Sequence, residues 1–220
     1  MSAPFGRRYN ARMSSETVNP IPDSDIGEPA WEVATLFPPQ GSWTEAEYFG
    51  LETSRFVELV NGRLEVLPMP TWLHQLIVKY LAGELDKWVT ANAEGTVLFA
   101  PIPVRLFDGT IREPDVLYFR PENIPADGKY PDAVDLVMEV VSESSSDRKR
   151  DLEDKRADYA KAGVAEYWIV DPQERRITVL TLDGDEYREG GVYVEGTARS
   201  ELLSGFRVST NDVFAFLDGV

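Results

Sequence analysis

Hydrophobic positions along the chain change period several times, and each change marks an element. Phe56-Val-Glu-Leu-Val60 and Arg63-Leu-Glu-Val-Leu67 flank Asn61-Gly62, a pair that supplies the two positive-φ residues of a type I′ turn, so the stretch predicts a β-hairpin. From about Trp72 to Val89 the pattern becomes helical, with Ile77, Val78, Leu81, Leu85 and Trp88 on one stripe. Three apolar runs then predict strands at Val97–Leu106, Asp115–Phe119 and Leu136–Ser142. Asp147–Ala162 reads as a second helix, with Gly163 as its left-handed cap. Glu166-Tyr-Trp-Ile-Val170 is a further buried strand, stopped by Asp171-Pro172. From Arg176 to about Val208 the Asp183-Gly184 and Gly190-Gly191 pairs punctuate a β-meander, and a short helix near Asn211–Leu217 closes the chain.

That order predicts an α/β (α+β) protein: a mixed sheet with an αβββαβ core, an N-terminal hairpin and a C-terminal β-meander. Residues 1–40, with Pro4, Pro20, Pro22, Pro29, Pro38 and Pro39 and little periodicity, read as a flexible Pro-rich tail or an arm for a partner. Order is expected to begin at Ser42, where Ser42 to Glu45 fits a helix capping box, and residues 41–220 read as a single domain.

Composition narrows the chemistry. A hydrophobic fraction of 43% supports a sizeable core, and no window approaches the roughly 18 apolar residues of a membrane helix. With no signal-like segment and no cysteine, a cytoplasmic setting is expected. His74 is the only histidine, which removes two-histidine zinc sites; no phosphate loop, dinucleotide fingerprint or nucleophile elbow occurs. Metal chemistry would therefore rest on carboxylates, which suit Mg²⁺ or Mn²⁺. The net charge of −16 opposes long-range attraction to nucleic acid. The stretch from Asp147 to Lys161 is the exception, with six basic residues against five acidic ones.

Glu139 stands out because it interrupts Leu136-Val-Met-Glu-Val-Val141, a strand apolar on both faces. An ionised carboxylate there needs a pair, hydrogen bonds or a cation. Asp115, opening the preceding strand, alone would be an ordinary turn aspartate, but strands about 4.8 Å apart would let it share a cation with Glu139. Lys155 lies on the same helix face as Leu152 and Tyr159, so it either reaches this site or pairs with Asp151 at i,i+4. Glu58, in the hairpin, is a candidate third carboxylate or a solvent-facing one. His74 and Asp151 are secondary candidates.

Taken together, Glu58-Leu-Val-Asn-Gly-Arg, His74 opening a helix, Glu113-Pro-Asp115, Glu139-Val-Val-Ser142, Asp151-x-x-x-Lys155, Tyr159-x-x-x-Gly163-Val and Glu166-Tyr-Trp-x-Val-Asp171 resemble the Uma family over residues 42–181. That family groups restriction endonucleases assigned to the PD-(D/E)XK nuclease superfamily. The resemblance implies a restriction-endonuclease-like fold and metal-dependent hydrolysis of phosphodiester bonds in nucleic acid, DNA foremost. It implies Asp115, Glu139 and Lys155 as catalytic residues, with Asp115, Glu139 and Glu58 on Mg²⁺ or Mn²⁺. In the plain superfamily motif the lysine follows the acidic residue by two positions; here that position is Val141, so the role moves to Lys155. Rival readings are a non-catalytic interaction module on a nuclease fold and a metal-dependent hydrolase of a small phosphodiester. The exposed meander is a candidate surface for a homodimer.

Overall fold

The computed structural model describes residues 36–92, 95–142 and 148–218. The expected tail thus lies almost wholly outside the described residues, and residues from Gln40 onward form one compact unit. Helix α1 (Glu45–Phe49) is followed by strands β1 (Val57–Val60) and β2 (Arg63–Val66), and then by the long helix α2 (Trp72–Asn92). Strands β3 (Thr96–Phe99), β4 (Val104–Phe107), β5 (Thr110–Arg112), β6 (Val116–Phe119) and β7 (Leu136–Val140) come next. A π-helical turn, Arg150–Asp154, leads into α3 (Lys155–Lys161). The remainder is β8 (Glu166–Asp171), β9 (Arg176–Asp183), β10 (Glu186–Tyr193), β11 (Thr197–Arg199), β12 (Arg207–Ser209) and α4 (Thr210–Phe214).

Six strands form the main sheet in the order β10-β9-β8-β7-β6-β3, with β7 and β8 parallel and every other neighbour antiparallel. Within it the elements run α2, β3, β6, β7, α3, β8, the expected α-β-β-β-α-β sequence. Alternation along β7 gives each face its own core. Leu136, Met138 and Val140 pack with Ile77, Leu81 and Leu85 of α2, whereas Val137 and Val141 pack with Tyr159 of α3 and with Tyr167. Glu139 lies between Val137 and Val141 on the α3 face.

Four local expectations need correcting. The helix cap is Thr44, not Ser42: Thr44 accepts from the Glu47 amide, and the Glu47 carboxylate accepts from the Thr44 amide. Residues 41–43 are instead held against the hairpin turn, the amides of Gly41 and Trp43 both donating to the Gly62 carbonyl, with Trp43 buried. The turn itself is as expected, with φ of 49° at Asn61 and 72° at Gly62; a Cβ on Gly62 would also meet the Gly41 carbonyl oxygen at 2.8 Å.

The expected strand Val97–Leu106 is two strands. Pro101 and Pro103 cannot donate to a ladder, and Ala100-Pro101 is cis. Past that break β4 pairs with β5 and joins a second sheet, β2-β1-β5-β4. The helix expected at 147–162 is interrupted by the π turn, with Asp147 outside the described residues. The meander is the β9–β10 hairpin plus a separate β11–β12 ladder.

Candidate active site

Asp115 stands one residue before β6. Continuing the antiparallel register beyond Val116 and Met138 sets it opposite Glu139, on the same face. Its Oδ2 accepts the Val140 amide at 2.8 Å and lies 3.2 Å from Nε2 of His74. Glu139 is buried, and one oxygen, Oε1, takes both the Lys155 ammonium at 2.7 Å and the Tyr159 hydroxyl at 2.5 Å. Lys155 is buried as well, with Asp151 at 3.6 Å and Glu58 at 3.7 Å. Both readings of Lys155 therefore hold together: it faces Asp151 along the helix, but its shortest contact is across to Glu139.

The π turn gives Lys155 this aim. Its amide bonds the carbonyl of Arg150, five residues back, and the Asp151 carbonyl accepts the Tyr167 hydroxyl at 2.7 Å instead. A tyrosine from β8 thereby occupies the acceptor that a regular α-helical bond from Lys155 would use, at a kind of irregularity that favours functional sites.

Asp115, Glu139, Asp151, Lys155 and His74 all line one cleft of about 390 Å³. Glu58 does not line it. Its Oε2 binds Arg112 at 2.7 Å and its Oε1 accepts the Glu113 amide at 2.9 Å, so it supports Lys155 from behind. Arg112, 1% exposed, joins Glu58, Glu65 and Asp158 of α3 and so ties the second sheet to the helix carrying Lys155. Sequence reading missed Arg112, Tyr159 and Glu113 as site residues. Glu113 lines the cleft and takes a bond from the Tyr48 hydroxyl at 3.2 Å. The i,i+2 spacing of Glu113 and Asp115, and the i,i+4 spacing of Lys155 and Tyr159, are the signals that could have found two of them.

Negative charge exceeds positive charge here, and proton affinities follow. Burial, followed by repulsion from Asp115, Asp151 and Glu58, overcomes Lys155 and pushes the Glu139 carboxyl up to about 8. Burial also raises Asp151, and burial with the Glu58 charge lifts Glu113 to about 7. Burial would raise Glu58 too, but Lys155 and Arg112 hold it down at about 2. Burial opposes the charge on His74, but its bond to Asp115 together with the negative charges of Asp115, Glu139 and Asp151 raises it overall.

Among the described residues no three acidic or imidazole groups form a ready-made cation cage. The donor set nevertheless fits a hard cation. Glu139 and Asp115 each commit one oxygen to protein donors, while Glu139 Oε2 and Asp115 Oδ1 make no hydrogen bond among the described residues. His74 Nδ1 is buried without a partner. A surplus of carboxylate, held in place and short of positive charge, is what Mg²⁺ or Mn²⁺ would complete.

Mixed antiparallel and parallel pairing around a buried carboxylate–lysine cluster makes this an α+β protein. A crystal structure of a putative nuclease from Anabaena variabilis has the same fold, with a TM-score of 0.66 and 22% identity over 79% of this chain and 98% of that one. The family model described as "Uma2: Putative restriction endonuclease" matches residues 45–211, and the chain belongs to that family. No curated protein sequence matches it. No helix among the described residues is long and apolar enough to cross a membrane.

Proposed function

We propose that the protein is a metal-dependent endonuclease of restriction-endonuclease-like fold that hydrolyses phosphodiester bonds in nucleic acid, DNA foremost. The observation that carries this reading is the pair Asp115 and Glu139, opposite each other on adjacent strands, each held by one oxygen and beside a buried lysine. Asp115 and Glu139 would hold Mg²⁺ or Mn²⁺, with His74 as the nearest imidazole; such an ion supplies a water of lowered pKa and positive charge against the phosphate. Lys155, desolvated and fixed by three carboxylates, stabilises negative charge developing on the phosphate oxygens. Tyr159 fixes the rotamer of Glu139, and the Val140 amide fixes that of Asp115. Glu58 and Arg112 position Lys155 without touching substrate.

Two rivals keep the fold but change the job: a binding module, and a hydrolase of small phosphodiesters. A binding module gives no reason to concentrate four cleft-lining carboxylates, Glu113, Asp115, Glu139 and Asp151, around one lysine. The test is cleavage of DNA, RNA and bis(p-nitrophenyl) phosphate with Mg²⁺ or Mn²⁺ by the wild type and by Glu139→Ala. Metal-dependent cleavage lost in the variant supports the proposal; equal activity in both proteins discards it.

A further inference from the structure

Of the six basic residues between Arg148 and Lys161, Arg150 and Lys155 alone line the cleft. Arg148 is bound to Asp171 at 2.7 Å, Arg156 donates to the Tyr187 carbonyl, Lys161 lies over the Phe107 ring, and Lys149 is exposed. The π turn accounts for the two that reach it. Five positions apart on a regular α-helix, Arg150 and Lys155 would point about 140° away from each other. The π turn closes over this same pair, the Lys155 amide bonding the Arg150 carbonyl, and so brings them onto one side. Asp151 Oδ1 lies 3.6 Å from Arg150 Nε and 3.6 Å from Lys155 Nζ, so the two nitrogens are separated by at most twice that distance.

The two cations are not equivalent. Lys155 faces Glu139 at 2.7 Å as well as Asp151 and Glu58, so it lends positive charge to the floor while its ammonium is already aimed at carboxylates. The Arg150 side chain is 15% exposed against 4% for Lys155, and an anion entering the cleft meets it first. At 3.6 Å its approach to Asp151 is an ion pair too long for a hydrogen bond. A guanidinium presents five N–H donors in a planar fork that fits two phosphate oxygens at once, which an ammonium cannot do.

From these observations we infer that Arg150 is the residue that grips the substrate anion: its guanidinium binds the non-bridging oxygens of the scissile phosphodiester beside the Asp115–Glu139 pair, and the π turn holds it next to Lys155. The inference rests on the phosphodiesterase reading above and adds the side chain that touches the phosphate.

The experiment compares the full-length wild type with Arg150→Gln and Arg150→Lys. Diphenyl phosphate, a diester stable enough to survive the measurement, is titrated calorimetrically in Ca²⁺, and Mn²⁺ is titrated separately. Arg150→Gln should weaken diester binding about 10- to 100-fold. Arg150→Lys, which keeps the charge and loses the fork, should fall between the two. Mn²⁺ should bind Arg150→Gln at least as tightly as the wild type, because a positive charge beside Asp151 has been removed. A residue that merely held Asp151 in place would lower Mn²⁺ and diester affinity together. That result, equal diester binding in all three proteins, or no diester binding by the wild type would each overturn the inference. Should Arg150→Gln fail to fold, Arg150→Lys decides: weakened diester binding at unchanged Mn²⁺ affinity supports the contact, and wild-type diester binding overturns it. Cleavage of bis(p-nitrophenyl) phosphate in Mn²⁺ separates the two failures. Cleavage that is equal in the wild type and Arg150→Gln sinks the Arg150 contact alone. No cleavage by the wild type, with diester binding still dependent on Arg150, sinks the phosphodiesterase reading and leaves the anion contact standing.

Discussion

Without divalent metal the protein should be more stable at pH 5 than at pH 8, with Glu139 the largest single contributor. Its carboxyl is raised from 4.5 to about 8, so the folded state holds a proton there that the unfolded chain releases above pH 4.5. Where the folded state binds more protons, stability falls as pH rises; the loss begins near pH 4.5 and is complete above pH 8. At about 1.36 kcal/mol per unit the full shift corresponds to about 5 kcal/mol. Relaxation of the site around the new charge reduces this, and the expected loss is ~2–5 kcal/mol. For a domain of this size that lowers Tm by ~4–20 °C. Glu113, Asp151 and His74 are all raised and act in the same direction, whereas Glu58, held at about 2, acts only below pH 4.5. The assay is urea and thermal unfolding from pH 5 to 8 in EDTA, on the wild type and on Glu139→Gln, which keeps the shape and cannot ionise. Glu139→Gln should remove the largest single share of the slope, leaving the part due to Glu113, Asp151 and His74, and Mn²⁺ should restore wild-type stability at pH 8. Stability that is flat or rises from pH 5 to 8 in EDTA, or a variant that keeps the full slope, would show that Glu139 does not hold a proton in the folded state at neutral pH.

Three further predictions rest on single contacts. Lys155→Met leaves Glu139, Glu58 and Asp151 without their shared cation; it should cost about 3–5 kcal/mol in urea melts at pH 7.5 and abolish hydrolysis. Arg112→Met removes the guanidinium that joins Glu58, Glu65 and Asp158, and should cost a similar amount in the same melts, about 3–5 kcal/mol. Tyr167→Phe frees the Asp151 carbonyl at the π turn; it should cost only about 1 kcal/mol of stability yet lower kcat at least tenfold, because the turn aims Lys155. A Tyr167→Phe protein with unchanged kcat would show that the turn does not control the lysine.

Elements with a strong local period were readable from the sequence. The Asn61-Gly62 hairpin, the α2 stripe, and the apolar runs of β6, β7 and β8 all appear where their patterns put them. Reading failed where tertiary contacts override local signals. Ser42 fits a capping box as well as Thr44 does, but burial of Trp43 and the two bonds to the Gly62 carbonyl settle the choice. The β3–β4 break was visible in Pro101 and Pro103, and the Asp108-Gly109 pair that closes β4 onto β5 was an unused turn signal. A π turn leaves no periodicity of its own, since one residue's slip in a helix needs an outside acceptor or donor, here Tyr167, to sustain it. Within the site, Glu139 was conspicuous as a charge in an apolar strand. Glu58 looked similar, but its partner Arg112 is 54 residues away, and no local pattern reveals that both its oxygens are occupied.

A crystal soaked in manganese and measured for anomalous scattering goes straight to the central proposal. A peak bound by Glu139 Oε2 and Asp115 Oδ1 is expected, absent from Asp115→Asn crystals soaked in the same way. Manganese found only at surface carboxylates, with Asp115 and Glu139 unmoved and unliganded, would contradict it.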